Sequence, residues 1–143
     1  MGTQTFNIFK VPDSEIVSAL LNIAKDCEFS LTNAAINLQF GSDHNSPLRL
    51  HPENINDDLT YQKICNANAA LTQIISIVVP QVEVTITISR NPNYDLANVS
   101  FHNEMTPDAI TNLLIAVQKY LKSFAPTTKL DQLLGEEIGR AHV

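Results

Sequence analysis

Val82-Glu83-Val84-Thr85-Ile86-Thr87-Ile88-Ser89 alternates apolar and polar side chains without a break, and this period of two decides the fold. Successive side chains of a strand point to opposite faces. Val82, Val84, Ile86 and Ile88 therefore line a core, while Glu83, Thr85, Thr87 and Ser89 meet water. Arg90 to Asp95 holds Pro92, two asparagines and an aspartate, which is turn chemistry. Ala97, Val99 and Phe101 then alternate with Asn98, Ser100 and His102, as the second strand of a hairpin should. Thr106 can cap a following helix, with Pro107 at a position where a missing N–H costs nothing. Ile110, Leu113, Leu114, Val117, Leu121 and Phe124 follow at helical spacing, so Val82 to Phe124 covers its own sheet face.

Upstream, Thr5 to Val11 reads as a strand with Phe6 and Ile8 on one face and Phe9 and Val11 on the other. Apolar residues on both faces predict a place inside the sheet, away from its edge. Pro12-Asp13-Ser14-Glu15 starts a helix whose buried stripe is Ile16, Leu20, Ile23, Ala24 and Cys27. Ala34, Ile36, Leu38 and Phe40 alternate with polar or small residues as a second strand, and Gly41 to Pro47 is a loop. Leu48 and Leu50 flank Arg49 in a short third strand. After a polar loop from Pro52 to Asp58, Asp57 or Asp58 can cap a helix bearing Ile64, Ala67, Leu71, Ile74 and Val78. Its end, Ile74 to Val79, is rich in β-branched residues and also suits a strand. The helical spacing upstream favours a helix to about Val78, stopped by Pro80.

The expected order is β-α-β-β-α-β-β-α, an α+β two-layer sandwich with a mainly antiparallel sheet and three helices on one face. Its first six elements match a ferredoxin-like split βαβ arrangement in order alone. Residues 1–124 form one domain on this reading, and 125–136 are a linker plus the start of a truncated following helix, Lys129 to Leu134. Residues 137–143, Glu-Ile-Gly-Arg-Ala-His-Val, resemble the translation of a common sequencing-library adapter and are set aside as non-native.

The chain has 143 residues, 44% of them apolar and 17% charged, which suits one globular domain. A net charge of −6 with nine basic residues, none in a long run, argues against nucleic acid or an anionic membrane as partner. No segment is long and apolar enough to span a bilayer, and Met1 to Lys10 does not read as a signal peptide, so the cytoplasm is expected. There Cys27 and Cys65 read as small buried hydrophobes, not a disulfide.

Candidate chemistry is sparse. His102 could act as a general base oriented by Glu104, although its alternation with Phe101 also places it on the wet face. Asp43, His44 and His51 lack the spacing of a structural zinc set, and Glu53, Asp57 and Asp58 lack the pattern of a calcium loop. Four glycines, none clustered, give no phosphate cradle or dinucleotide fingerprint. No metal and no cofactor are expected. The remaining feature is a surface: Thr85 and Thr87 opposite Asn98 and Ser100, uncharged and open to a partner chain. Ile115 falls off the buried stripe of the last helix, as Ile75 and Ile77 do for the second. These features predict a noncatalytic N-terminal interaction or regulatory domain of a longer cytosolic protein, working by protein contact or self-association. The alternative is a small-molecule enzyme or ligand-sensing domain, with His102, Glu104 and His44 around a cleft between the hairpin end and the Gly41–Pro47 loop.

Overall fold

The hairpin read from the alternation is present and lies within a wider sheet. The computed structural model describes residues 2–40, 48–52 and 72–124. Its strands are β1 (Gly2–Ile8), β2 (Ala35–Phe40), β3 (Leu48–Leu50), β4 (Thr72–Val79), β5 (Val84–Arg90) and β6 (Asp95–Phe101). Helix α1 is Asp13–Asp26 and helix α2 is Pro107–Tyr120. The six strands pair in the order β1-β6-β5-β4-β2-β3, every neighbour antiparallel. The fold is thus a mixed α+β arrangement with an open antiparallel sheet.

Both described helices lie over one face of the sheet, and α1 packs on β4 and against α2. Phe6, Ala97, Ile88, Ile75 and Leu38 align across five strands beneath them, and Val99, Ile86, Ile77 and Ile36 form the next row. Ile16, Leu20 and Ile23 from α1 and Leu113 and Val117 from α2 close this layer, all fully buried. Each such side chain contributes on the order of 1.5–3 kcal/mol through removal from water. Thr106 caps α2 as expected, its hydroxyl accepting the Ala109 N–H at 3.2 Å.

The expected second helix is corrected over its last part. Thr72–Val79 is a strand between β2 and β5, and the expected helical residues up to Leu71 lie outside the described residues. The reason is period: Ile75, Ile77 and Val79 are buried while Ile74, Ser76 and Val78 alternate with them, which a helix cannot arrange. β-branched side chains also suit a pleated interior strand. Ile75 and Ile77 are therefore core residues, not a spare surface. Among the described residues there are two helices, not three.

The ferredoxin-like order does not extend to the sheet. β1 and β2 run the same way, but β6, β5 and β4 all lie between them, where a split βαβ leaves one intervening strand.

β1 also departs from expectation, ending at Ile8 and taking the end of the strand order. Phe9 leaves the strand 54% exposed, with its ring 4.8 Å from Phe124, which in turn meets Tyr94 edge-on at 6.0 Å. The second apolar side of this segment serves that aromatic cluster instead of a sheet interior. Lys122–Phe124 runs antiparallel along the outer side of β1. The Phe9 N–H donates to the Lys122 carbonyl and the Phe124 N–H to the Asn7 carbonyl, both at 3.1 Å. Gly2 pairs with Phe101, whose ring occupies the space of a side chain, so a Cβ there would collide with it.

Two polar ties fix the helices. The Arg90 guanidinium bonds Asp95 across the hairpin and Asp13 at the start of α1, with Asp95 fully buried and Asp13 6% exposed. At the other end of the helices, the Tyr120 hydroxyl donates to Asp26 at 2.7 Å and the Lys119 ammonium approaches it at 3.3 Å. The Tyr120 bond, with help from Lys119 and against desolvation, holds the Asp26 carboxyl below its usual range. This tie is therefore present above the ordinary carboxylate range and lost as pH falls through the lowered value.

α1 ends in a left-handed residue that is not glycine. Glu28 has φ 58°, its N–H reaching the Lys25 carbonyl and the Phe29 N–H the Ala24 carbonyl, the two bonds of a Schellman motif. Glu28→Gly is expected to raise stability by about 0.5–1 kcal/mol, read as a higher urea midpoint at unchanged slope. Arg90→Ala strands two buried carboxylates and is expected to cost about 3 kcal/mol in the same measurement.

Candidate functional site

The sheet register gathers a polar surface that local sequence shows only in part. Thr5, Asn98, Thr87, Ser76, Asn37 and Arg49 form one row across all six strands, on the face away from both described helices. Thr3, Ser100, Thr85 and Val78 form the row beside it, and Asn7, Leu96, Ser89 and Ile74 the row on the other side. Within these rows the single charge is Arg49, at the β3 edge. The Thr5 hydroxyl donates to Asn98 Oδ1, tying β1 to β6 on this surface.

Thr85, Thr87, Asn98 and Ser100 are thus brought together on one face, each half-buried by its sheet neighbours. Ile115 is not with them. It is 57% exposed on α2, in the helical layer. Sequence reasoning missed Thr5, Ser76 and Asn37 as members of this face. Their pairing is long-range, and the polar side of each strand is a signal only once the strand order is known.

His102 lies at one end of the sheet, just past β6. Its Nδ1 accepts the Glu104 main-chain N–H at 3.1 Å, and its Nε2 lies 3.0 Å from Glu83 Oε2. Glu104 therefore orients the ring through its backbone, and the carboxylate partner is Glu83. Glu83 is placed by a short 3-10 turn, Pro80–Val82, after which it takes φ 51°, a left-handed geometry that its residue type does not announce. An open depression of about 370 Å³ lies here, lined by Glu83, His102, Glu104 and Met105 together with Pro80–Val82. These lining residues offer an imidazole and two carboxylates but no hydroxyl, thiol or amine. Both imidazole nitrogens are already engaged, so a general-base role requires His102 to give up one contact.

His44 and its loop lie outside the described residues, as do Asp43, Glu53, Asp57, Asp58 and Cys65. Phe40, a described backbone position, pairs with Thr72 at the end of the sheet opposite His102. Among the described residues no group of three or more His, Cys, Asp or Glu side chains could hold a metal ion. No described helix is long and apolar enough to cross a membrane. No protein-family model matches the chain, and neither a curated protein nor a solved structure matches it.

Cys27 caps the C-terminal end of α1, half-buried against the core, and is a free thiol. Burial, and then the Asp26 carboxylate beside it, push its pKa up. The thiolate is the reactive form, so Cys27 is a poor nucleophile near neutral pH. In a Cys65→Ser background, iodoacetamide at about pH 7.5 is expected to label Cys27 several-fold more slowly than a free cysteine, the gap closing in urea.

Proposed function

We propose that this chain is a noncatalytic contact module, the N-terminal interaction or regulatory domain of a longer cytosolic protein, and that its working surface is the uncharged sheet face. The observation that carries this reading is the registered row Thr5–Asn98–Thr87–Ser76–Asn37, on the face that neither described helix covers. Hydroxyl and amide groups there can donate and accept without the desolvation cost of burying charge. At strand spacing the face is roughly 24 Å wide, which suits a modest, reversible contact with a protein partner. The near absence of charge also predicts a weak dependence on salt.

A second reading keeps a specific support. The depression beside Glu83, His102, Glu104 and Met105 suits a small ligand, with the His102–Glu83 pair as the group that ligand binding would open.

Photo-crosslinking separates these readings. Benzoylphenylalanine at position 87 is expected to give a discrete protein adduct in cells, while position 111, exposed on α2, gives none. Thr87→Arg should remove contacts made by the face and change stability by no more than about 0.5 kcal/mol. An absent adduct at position 87 overturns the contact-module reading.

A further inference from the structure

Among the described residues, the outer side of β1 is a sheet edge that is covered at one end only. Phe9 and Asn7 turn main-chain groups outward, where Lys122 and Phe124 take them up. The two-residue repeat of a strand turns Thr3 and Thr5 the same way. Both are exposed, and among the described residues no strand pairs with them on that side. Natural edges are usually blunted by lysine, proline or a bulge. Gly2–Ile8 holds no charge and no proline, and its register with β6 is unbroken, on a chain of net charge −6.

We propose that this edge pairs with β1 of a second copy of the chain, antiparallel about a two-fold axis at Gln4, joining two sheets into one. The occupant follows from the register. With the axis at Gln4, Thr3 faces the second copy's Thr5 and Thr5 its Thr3, each pair exchanging both main-chain hydrogen bonds. Gly2 of the second copy then falls opposite Phe6 and ends the pairing, because the next position faces Asn7, where Phe124 sits. An axis at Thr5 would set Thr3 against Asn7, whose outward carbonyl Phe124 already occupies. An axis at Thr3 would leave Thr5 facing residue 1. The Gln4 axis is the register that sets the two open residues, Thr3 and Thr5, against each other. Thr3 and Thr5 also carry their side chains on the polar face, so the pairing adds cross-strand threonine contacts and makes the two polar faces continuous. This deepens the contact-module reading by naming a self-partner and rests on it for its purpose.

Sedimentation of the full chain from about 10 to about 500 µM tests it, a range suited to a weak dimer. The wild type is expected to move from monomer to dimer, with amide exchange at Thr3 and Thr5 slowing as concentration rises. Thr3→Lys with Thr5→Lys sets lysine against lysine across the axis and should weaken association at least tenfold. Thr3→Lys with Thr5→Glu sets lysine against glutamate and should restore it. Thr5→Pro removes an outward N–H, leaves the β1–β6 ladder whole, and should also give monomer. A wild type that stays monomeric, exchange that ignores concentration, or a dimer indifferent to the paired lysines overturns the proposal. None of these results touches an adduct at position 87, so the edge and the face fail separately.

Discussion

Two described helices on a single side of one sheet impose a constraint on the strands beneath them: an apolar face under the helices and a polar face away from them. β5 meets it most strictly, with Val84, Ile86 and Ile88 inward and Thr85, Thr87 and Ser89 outward. A slip of one residue would exchange the two sets, so register carries the energy of the whole core. Arg90 and Asp95 are direct cross-strand partners as well as an ion pair, and they hold the hairpin to one alignment. Asp13 extends the same guanidinium to the first helix, so sheet register and helix position are set at one point.

The constraint also explains the division of chemistry between the faces. Among the described residues the helical side takes most of the large apolar side chains and holds internal ties such as Arg90 with Asp95 and Asp26 with Tyr120. The opposite face is left mainly with hydroxyl and amide groups and a single charge, Arg49, within its described rows. The imidazole of His102 follows the same economy: both its nitrogens are used in holding the turn beside β6.

Much of this was legible because it is local. The alternation of β5 and β6, the Thr106 cap and the apolar stripe of α2 each lie within a few residues of one another. β4 was harder, since Leu71, Ile74 and Val78 fit a helix while Ile75, Ile77 and Val79 fit a strand. Only the presence of β2 and β5 on either side decides between those periods. The edge position of β1 depends on a partner more than ninety residues away in β6, which spacing alone cannot report. The polar face was half visible for the same reason: Thr85, Thr87, Asn98 and Ser100 share a hairpin, whereas Thr5, Ser76 and Asn37 join them through the register. Glu83 is the clearest loss. Its backbone geometry follows from the turn before it, not from its side chain.

The bond between the first strand and the segment after the last described helix has a temporal consequence. β1 leaves the ribosome first, yet its ladder needs Phe101 and its outer strap needs Ser123. During synthesis at roughly 5–20 residues per second, this uncharged strand waits several seconds with both sides unpaired. Sheets built on such distant contacts close slowly. The nascent chain therefore keeps β1 unpaired until almost all of the described sheet has been made.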